Sequence, residues 1–291
     1  MKIKFRDGTL IEKKDGQEQI LGFLYGTVPG RLLLKPLTRP AVSKAVGWFL
    51  SSRISCLLIQ PFIRKNGIDI KTFEKKKYRS YNEFFSRKIR PKVRLVDAEP
   101  MHLISPCDSK LTVLPIRKTR RFIIKNTEYT VTSLLKNGKL AQEFEGGYAL
   151  IFRLTVDDYH RYCYIVDGTK EENVRIPGVL HTVNPIANDY YPIYKENSRE
   201  YTILHSTVFG DVVMMEVGAL LVGKIVNHHY GKSKVLRGQE KGYFQFGGST
   251  IVLLVKADTV RMDEDILENS RVGIETVVRM GEKIGLALNS N

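Results

Sequence analysis

Cysteine is scarce in this chain of 291 residues: three in all, Cys56, Cys107 and Cys163, an odd set without paired spacing. That excludes a disulfide framework and points to free thiols in a reducing compartment. Long apolar runs are missing as well. Lys44, Arg53 and Arg64 interrupt the most hydrophobic stretch well short of the roughly 18–20 residues that a spanning helix requires. The start, Met1-Lys2-Ile3-Lys4-Phe5-Arg6-Asp7, has no apolar core, so no signal peptide is expected there. No glycine-rich phosphate loop or dinucleotide fingerprint occurs. His228 and His229 are adjacent and would point to opposite faces of a strand. His160, Cys163, Cys107 and Asp108 match no strong zinc spacing, so no metal is expected.

What is present is an ordinary globular balance, 43% hydrophobic and 26% charged, with a net charge of +15. The charge is uneven. Residues 1–100 carry 22 Lys and Arg against nine Asp and Glu, an excess of 13. These basic residues interleave with Leu32-Leu33-Leu34, Trp48-Phe49-Leu50 and Leu57-Leu58-Ile59. That mixture predicts interfacial amphipathic helices whose Lys and Arg meet anionic lipid head groups. No nucleic-acid-binding motif accompanies it, so nucleic acid is not expected as a partner.

Residues 1–20 read as a short polar strand pair or a loose start, with turns at Asp7-Gly8 and Asp15-Gly16. Residues 20–90 read mostly as helix. Apolar positions at Val46, Phe49, Leu50, Ile54, Leu57 and Leu58 follow a 3.6 period across 43–63. A second helix is expected over 71–89, basic on one face and ended by Pro91. Beyond residue 100 the pattern turns to strands, at 111–116, 121–124, 148–154, 162–166, 178–183, 201–205, 211–217, 220–226, 243–246 and 251–255. Helices are expected only at 131–136 and 263–268. The fold class is α+β: basic amphipathic N-terminal helices in 1–100, then a mainly antiparallel β-sheet catalytic domain in 101–291.

Between the last two expected strands stands Gly247-Gly248-Ser249-Thr250. By itself such a tetrapeptide is more often a bulge or hairpin connection. Yet glycine tolerates angles that a side chain forbids, so the peptide can be strained toward attack by the Ser249 hydroxyl on the Gly248 carbonyl. Transfer of the acyl group from nitrogen to oxygen, then elimination and hydrolysis, cuts the chain and leaves Ser249 as an N-terminal pyruvoyl group.

The surrounding run, Glu240-Lys241-Gly242-Tyr243-Phe244-Gln245-Phe246-Gly247-Gly248-Ser249-Thr250, resembles the processing segment of the phosphatidylserine decarboxylase family. Further blocks follow in the family's order: Tyr81-Asn82-Glu83-Phe84-Phe85-Ser86-Arg87, Ser105-Pro106-Cys107-Asp108-Ser109, Asp158-Tyr159-His160-Arg161, Thr182-Val183-Asn184-Pro185 and Val217-Gly218-Ala219. The tail, with Met280-Gly281-Glu282-Lys283-Ile284-Gly285, also resembles it. The resemblance implies decarboxylation of phosphatidylserine to phosphatidylethanolamine. The substrate amine would form a Schiff base with the pyruvoyl group, which acts as electron sink and makes an external cofactor unnecessary. It also implies a large chain 1–248 and a small chain 249–291 held as one unit, and peripheral placement on the cytoplasmic face of the cell membrane; members of the family often pair as a homodimer, and the oligomeric state of this chain is left open.

Asp108 alone reads as a turn aspartate; the resemblance makes it the acidic member of a triad that activates Ser249. His160 matches the family's first histidine, which assists decarboxylation. The family's second histidine, three positions on, is the usual triad base, and here it is Cys163. A thiol, with a reference pKa near 8.5, is a poorer acceptor for the serine proton than imidazole. Cys163, His160 and His181 are therefore the three candidate bases. Two other readings stand beside the decarboxylase. One is a serine hydrolase with an uncut Ser249, since Asp108, His160 and Ser249 follow the order of subtilisin. The other is a membrane-binding pseudoenzyme that no longer cleaves itself.

Overall fold

Seven consecutive buried residues, Ser249–Val255, form the strand around which the protein is arranged. Ile251, Leu253 and Val255 enter one core cluster, while Val252 and Leu254 enter another on the opposite face. A strand covered on both sides needs no polar face, which is why this one reads as an almost unbroken apolar run. The computed structural model describes residues 2–12, 18–75, 77–124, 127–183, 190, 193–219, 224–245 and 249–288.

On one side Ser249–Val255 pairs with Gly210–Val217, which pairs in turn with Arg199–Ser206. On the other it pairs with Tyr148–Leu154, then Ser109–Pro115, then Glu275–Val278. The first hairpin, Lys2–Lys4 with Leu10–Glu12, closes that edge. The hairpin's parallel pairing to Glu275–Val278 is the one exception among otherwise antiparallel pairs in this eleven-stranded sheet. A three-stranded sheet of Ile225–Asn227, Glu240–Phe244 and Arg161–Cys163 covers the first core, with another of Val260–Met262, Lys283–Ala287 and His102–Ile104. Helices at the N-terminus followed by mainly antiparallel sheets make the fold α+β.

The N-terminal helices are Glu18–Gly26, Val28–Leu37, Pro40–Leu50 and Ile59–Asn66. Thr27 caps the second, its hydroxyl accepting from Gly30 N at 3.0 Å. Gly30 also lets the first two helices meet, since a Cβ there would lie 2.1 Å from Phe23 O. The single helix expected over 43–63 is broken. Ala41–Leu50 and Ile54–Asn66 meet at 84°. The Ser55 hydroxyl donates to Leu50 O and Ser52 O at 2.9 and 2.6 Å, taking carbonyls that a continuing helix would use. No single helix among the described residues is long and apolar enough to cross a membrane, although this bent pair has the length and composition.

The helix expected over 71–89 shrinks to Tyr81–Phe85, capped by Ser80. The chain before it runs extended beside 88–90, with Glu74 N donating to Lys88 O and Arg90 N to Thr72 O, both at 2.9 Å. Burial of Phe73 outweighs local helix propensity there. The strand expected over 178–183 is reduced to a single bridge between Val179 and Asn197. The one at 220–226 begins at Ile225, with residues 220–223 outside the described set.

Candidate functional site

Ser249 opens the central strand opposite Leu154. Its side chain is fully buried and its Oγ has no hydrogen-bond partner among the described residues. Residues 246–248 lie outside the described set, so the expected cleavage position between Gly248 and Ser249 has one described side.

Past Leu154 the partner strand turns through Thr155 and Asp158. Asp158 N donates to Thr155 O at 2.9 Å, and Thr155 N donates back to Asp158 Oδ2 at 2.7 Å. Lys110 Nζ fixes the turn by bonding both Asp158 carboxylate oxygens, at 2.7 and 2.6 Å. Burial raises the Asp158 pKa, and Lys110 opposes that rise. This turn delivers His160.

His160 is fully buried against Phe85, with ring centroids 4.1 Å apart. Its Nδ1 lies 2.9 Å from Asp158 O, a pure acceptor, so Nδ1 carries the proton and Nε2 keeps a free lone pair. That Nε2 is buried without a partner among the described residues. Burial pushes the imidazole pKa down to about 3, so it is neutral at ordinary pH. The backbone also places it: Phe244 N donates to His160 O at 2.9 Å. Phe244 precedes the 246–248 segment and Ser249 follows it. His160 is thus tied to one flank directly and to the other through Leu154.

A buried ion pair joins the same flanks a second time. Lys241, on the strand leading to the segment, bonds Glu216 at 2.7 Å with neither side chain exposed. Glu216 lies opposite Ile251 on the strand that follows it. Asn227 bonds both partners, at 2.9 Å to Lys241 Nζ and 3.2 Å to Glu216 Oε2. Burial raises the Glu216 pKa while Lys241 draws it back.

Asp108, the expected acidic member, is bound by an arginine. Arg94 grips Asp108, with Nε 2.9 Å from Oδ1 and Nη2 2.5 Å from Oδ2, and Met280 N donates to Oδ1 at 2.9 Å. No histidine is hydrogen-bonded to Asp108 among the described residues. Gly281 lets the Met280 turn approach: its φ is +84° and a Cβ would meet Leu95 O at 2.8 Å. His181 faces the first helix, with Nδ1 3.3 Å from Tyr25 OH and Nε2 3.8 Å from Glu196 Oε2. Asn197 holds the His181 backbone at both N and O, each at 2.8 Å. Cys163 is buried, its thiol pushed up to about 12 by burial, so it carries its proton at neutral pH. Of the three candidate bases, His160 is the one that combines a bare nitrogen with attachment to both flanks of the segment.

Sequence reasoning missed Lys110, Arg94 and the Lys241–Glu216 pair. A lysine inside the apolar run Ser109–Pro115 was the available signal for Lys110. No metal-holding group of His, Cys, Asp and Glu occurs among the described residues.

A family model described as phosphatidylserine decarboxylase matches residues 81–286. The chain is 52% identical over 273 residues to phosphatidylserine decarboxylase proenzyme 2 of Clostridium acetobutylicum, covering 94% of this chain and 92% of that one. It is 39% identical over 280 residues to a phosphatidylserine decarboxylase proenzyme of Clostridium botulinum, covering 94% and 95%. A third proenzyme of that name, from Ruminiclostridium cellulolyticum, is 40% identical over 272 residues, covering 92% and 91%.

Proposed function

Because the chain belongs to the phosphatidylserine decarboxylase family, we propose that it converts phosphatidylserine to phosphatidylethanolamine and carbon dioxide after cutting itself between Gly248 and Ser249. The observation that carries the self-cleavage is a pair of buried atoms without a hydrogen-bond partner among the described residues, Ser249 Oγ and His160 Nε2, attached to the flanks of one segment. A buried hydroxyl without a partner is costly, and a hydroxyl awaiting deprotonation is one physical reason to keep it so.

His160 Nε2 takes the Ser249 proton. The oxygen attacks the Gly248 carbonyl carbon, a C–O bond forms, the peptide C–N bond breaks, and the freed nitrogen takes up the proton. Loss of the Ser249 α-proton then expels Gly248 as a carboxylate. Water hydrolyses the remaining unsaturated residue and ammonia leaves, so position 249 fits as the precursor of a pyruvoyl group. When present, that group supplies an electrophilic carbonyl for the substrate amine and an electron sink for the pair released with carbon dioxide. His160 Nε2, bare in the resting state, would take a proton from the substrate ammonium and give that same proton to the substrate carbon once carbon dioxide has left. The two chains, 1–248 and 249–291, stay together because the small one contributes the central strand.

Membrane docking falls to the helices. Trp48 and Leu57 are 80% and 77% exposed, and Leu32, Leu33, Phe49 and Ile54 are exposed beside Arg31, Lys35, Lys44 and Arg53. An apolar patch rimmed with cations suits an anionic bilayer surface, consistent with peripheral binding at the cytoplasmic face.

The intact mass of the denatured chain tests the processing. Two species, one ending at Gly248 and one beginning with pyruvoyl in place of Ser249, are expected. A single uncut species from folded protein refutes self-cleavage and favours the pseudoenzyme or the serine hydrolase, which a fluorophosphonate label on Ser249 then separates.

A further inference from the structure

Three arginines are buried among the described residues: Arg87, Arg153 and Arg199. Arg153 is bonded by Glu275 at 2.8 and 2.5 Å. Arg199 donates to four carbonyls, those of Leu134, Lys195, Asn197 and Ser133. Arg87 differs from both. Among the described residues its guanidinium makes one hydrogen bond, from Nη1 to Phe84 O at 3.3 Å, and its Nε is buried with no partner. No carboxylate lies within ion-pair distance of it among the described residues. Asp108, whose charge reaches it, is already held by Arg94 and Met280 N.

Stacking accounts for the position of Arg87 and not for its unused donors. Its guanidinium carbon lies 4.4 Å from the Phe73 ring centre and 4.8 Å from that of Phe84. Two rings hold the plane rigid and leave its edge free, and that edge is where a guanidinium donates. Burial draws its pKa down to about 10, so it stays charged at neutral pH. A buried cation without a counter-charge is an expensive thing to retain, and a bound anion relieves the cost.

The placement says which anion. The residues around Arg87 are clamped to the residues around His160. Arg161 Nε donates to Ser86 O at 2.8 Å, and Ile89 N donates to Tyr159 OH at 3.3 Å. Phe85, two residues before Arg87, packs on the His160 ring. On its other side the segment packs into the helical cluster of Leu50, Ile59, Tyr81 and Phe84, and from those helices Trp48 and Leu57 project outward. Arg87 therefore stands between an exposed apolar face and the histidine.

We infer that Arg87 is the binding residue for the phosphodiester of the phospholipid substrate. The inference rests on the phospholipid reading given above. In such a substrate the phosphate lies between the acyl chains and the reacting carbon, the order in which the helices, Arg87 and His160 occur. The substrate carboxylate is the poorer match. Pairing it with a cation stabilises the charge that must be lost, which slows decarboxylation, whereas a phosphodiester keeps its charge throughout.

The test uses the full-length protein, wild type and Arg87→Gln, titrated calorimetrically with glycerophosphocholine. This probe has the phosphodiester but neither a carboxylate nor a primary amine. In parallel, phosphatidylserine turnover is measured in mixed micelles. Weakening of glycerophosphocholine binding by on the order of tenfold or more, with a similar rise in KM, is expected. Unchanged binding, no binding by the wild type, or a loss confined to kcat overturns the assignment. So does a variant whose binding of N-acetylserine falls while that of glycerophosphocholine does not, which would place the carboxylate there. Should Arg87→Gln fail to fold, Arg87→Lys keeps the charge and removes the fork: weakening by about threefold or more supports the inference, and unchanged affinity overturns it. Arg87-dependent binding in a wild-type chain that releases no carbon dioxide supports the inference while refuting the decarboxylase reading. Turnover without Arg87 dependence does the reverse.

Discussion

Lowering the pH should leave self-cleavage almost untouched down to pH 5. The step needs a neutral His160, and burial holds that imidazole's pKa down to about 3. An ordinary histidine with a pKa near 6.5 is only about 3% neutral at pH 5, which would slow a base-dependent step roughly thirtyfold. With the depressed value, nearly all molecules keep the bare Nε2 at that pH. The same burial has an opposite effect on stability. The unfolded chain takes up a proton near pH 6.5 and the folded one does not until about 3, so stability is full above 6.5 and falls through that window. From pH 7 to pH 5 this one group removes about 2 kcal/mol. Cell-free translation into buffers from pH 8 to 5, with cleavage followed on denaturing gels, reads the first effect; urea unfolding of the Ser249→Ala precursor reads the second. A cleavage rate dropping tenfold per unit below pH 6.5 would refute the buried neutral base. So would His160→Gln cleaving at the wild-type rate, since a lost general base costs about 10²–10⁴-fold.

Asp108→Asn should act first on stability, leaving the partly buried Arg94 without its counter-charge at a cost of about 3 kcal/mol, seen as a lower urea midpoint. If Asp108→Asn abolishes cleavage with no change in midpoint, Asp108 acts chemically and not through Arg94. Lys241→Met strands the buried Glu216 and should cost about 3–5 kcal/mol, most of it recovered in Lys241→Met/Glu216→Leu; no recovery in a thermal melt would sink the ion-pair account. Trp48→Asp with Leu57→Asp should abolish sedimentation with anionic vesicles while shifting unfolding by only about 0.5 kcal/mol, because both side chains are largely exposed. Retained vesicle binding would exclude that face as the docking surface.

Some elements were legible because their causes are local. Arg121–Ile124 and Tyr148–Leu154 carry the strand pattern in their own residues and end where it ends. Short strands such as Glu275–Val278 and Lys283–Ala287 went unread, since three to five residues between turns give too little period to recognise. The break after Leu50 depends on Ser55, whose hydroxyl also accepts from Tyr81 N at 2.9 Å, a partner 26 residues away. The extended stretch before Tyr81 depends on Phe73 finding Arg87 and Tyr159.

The site divides the same way. The sequence by itself determined the chemistry on offer: a serine after two glycines, an aspartate, three candidate bases, and a basic apolar N-terminal third. Which of those bases holds a free lone pair was a tertiary matter. Asp158 O sets the His160 tautomer, Tyr25 occupies the neighbourhood of His181, and burial keeps the Cys163 thiol protonated. Hydrogen-bond partners and desolvation arise only when distant segments meet, and no spacing along the chain encodes them.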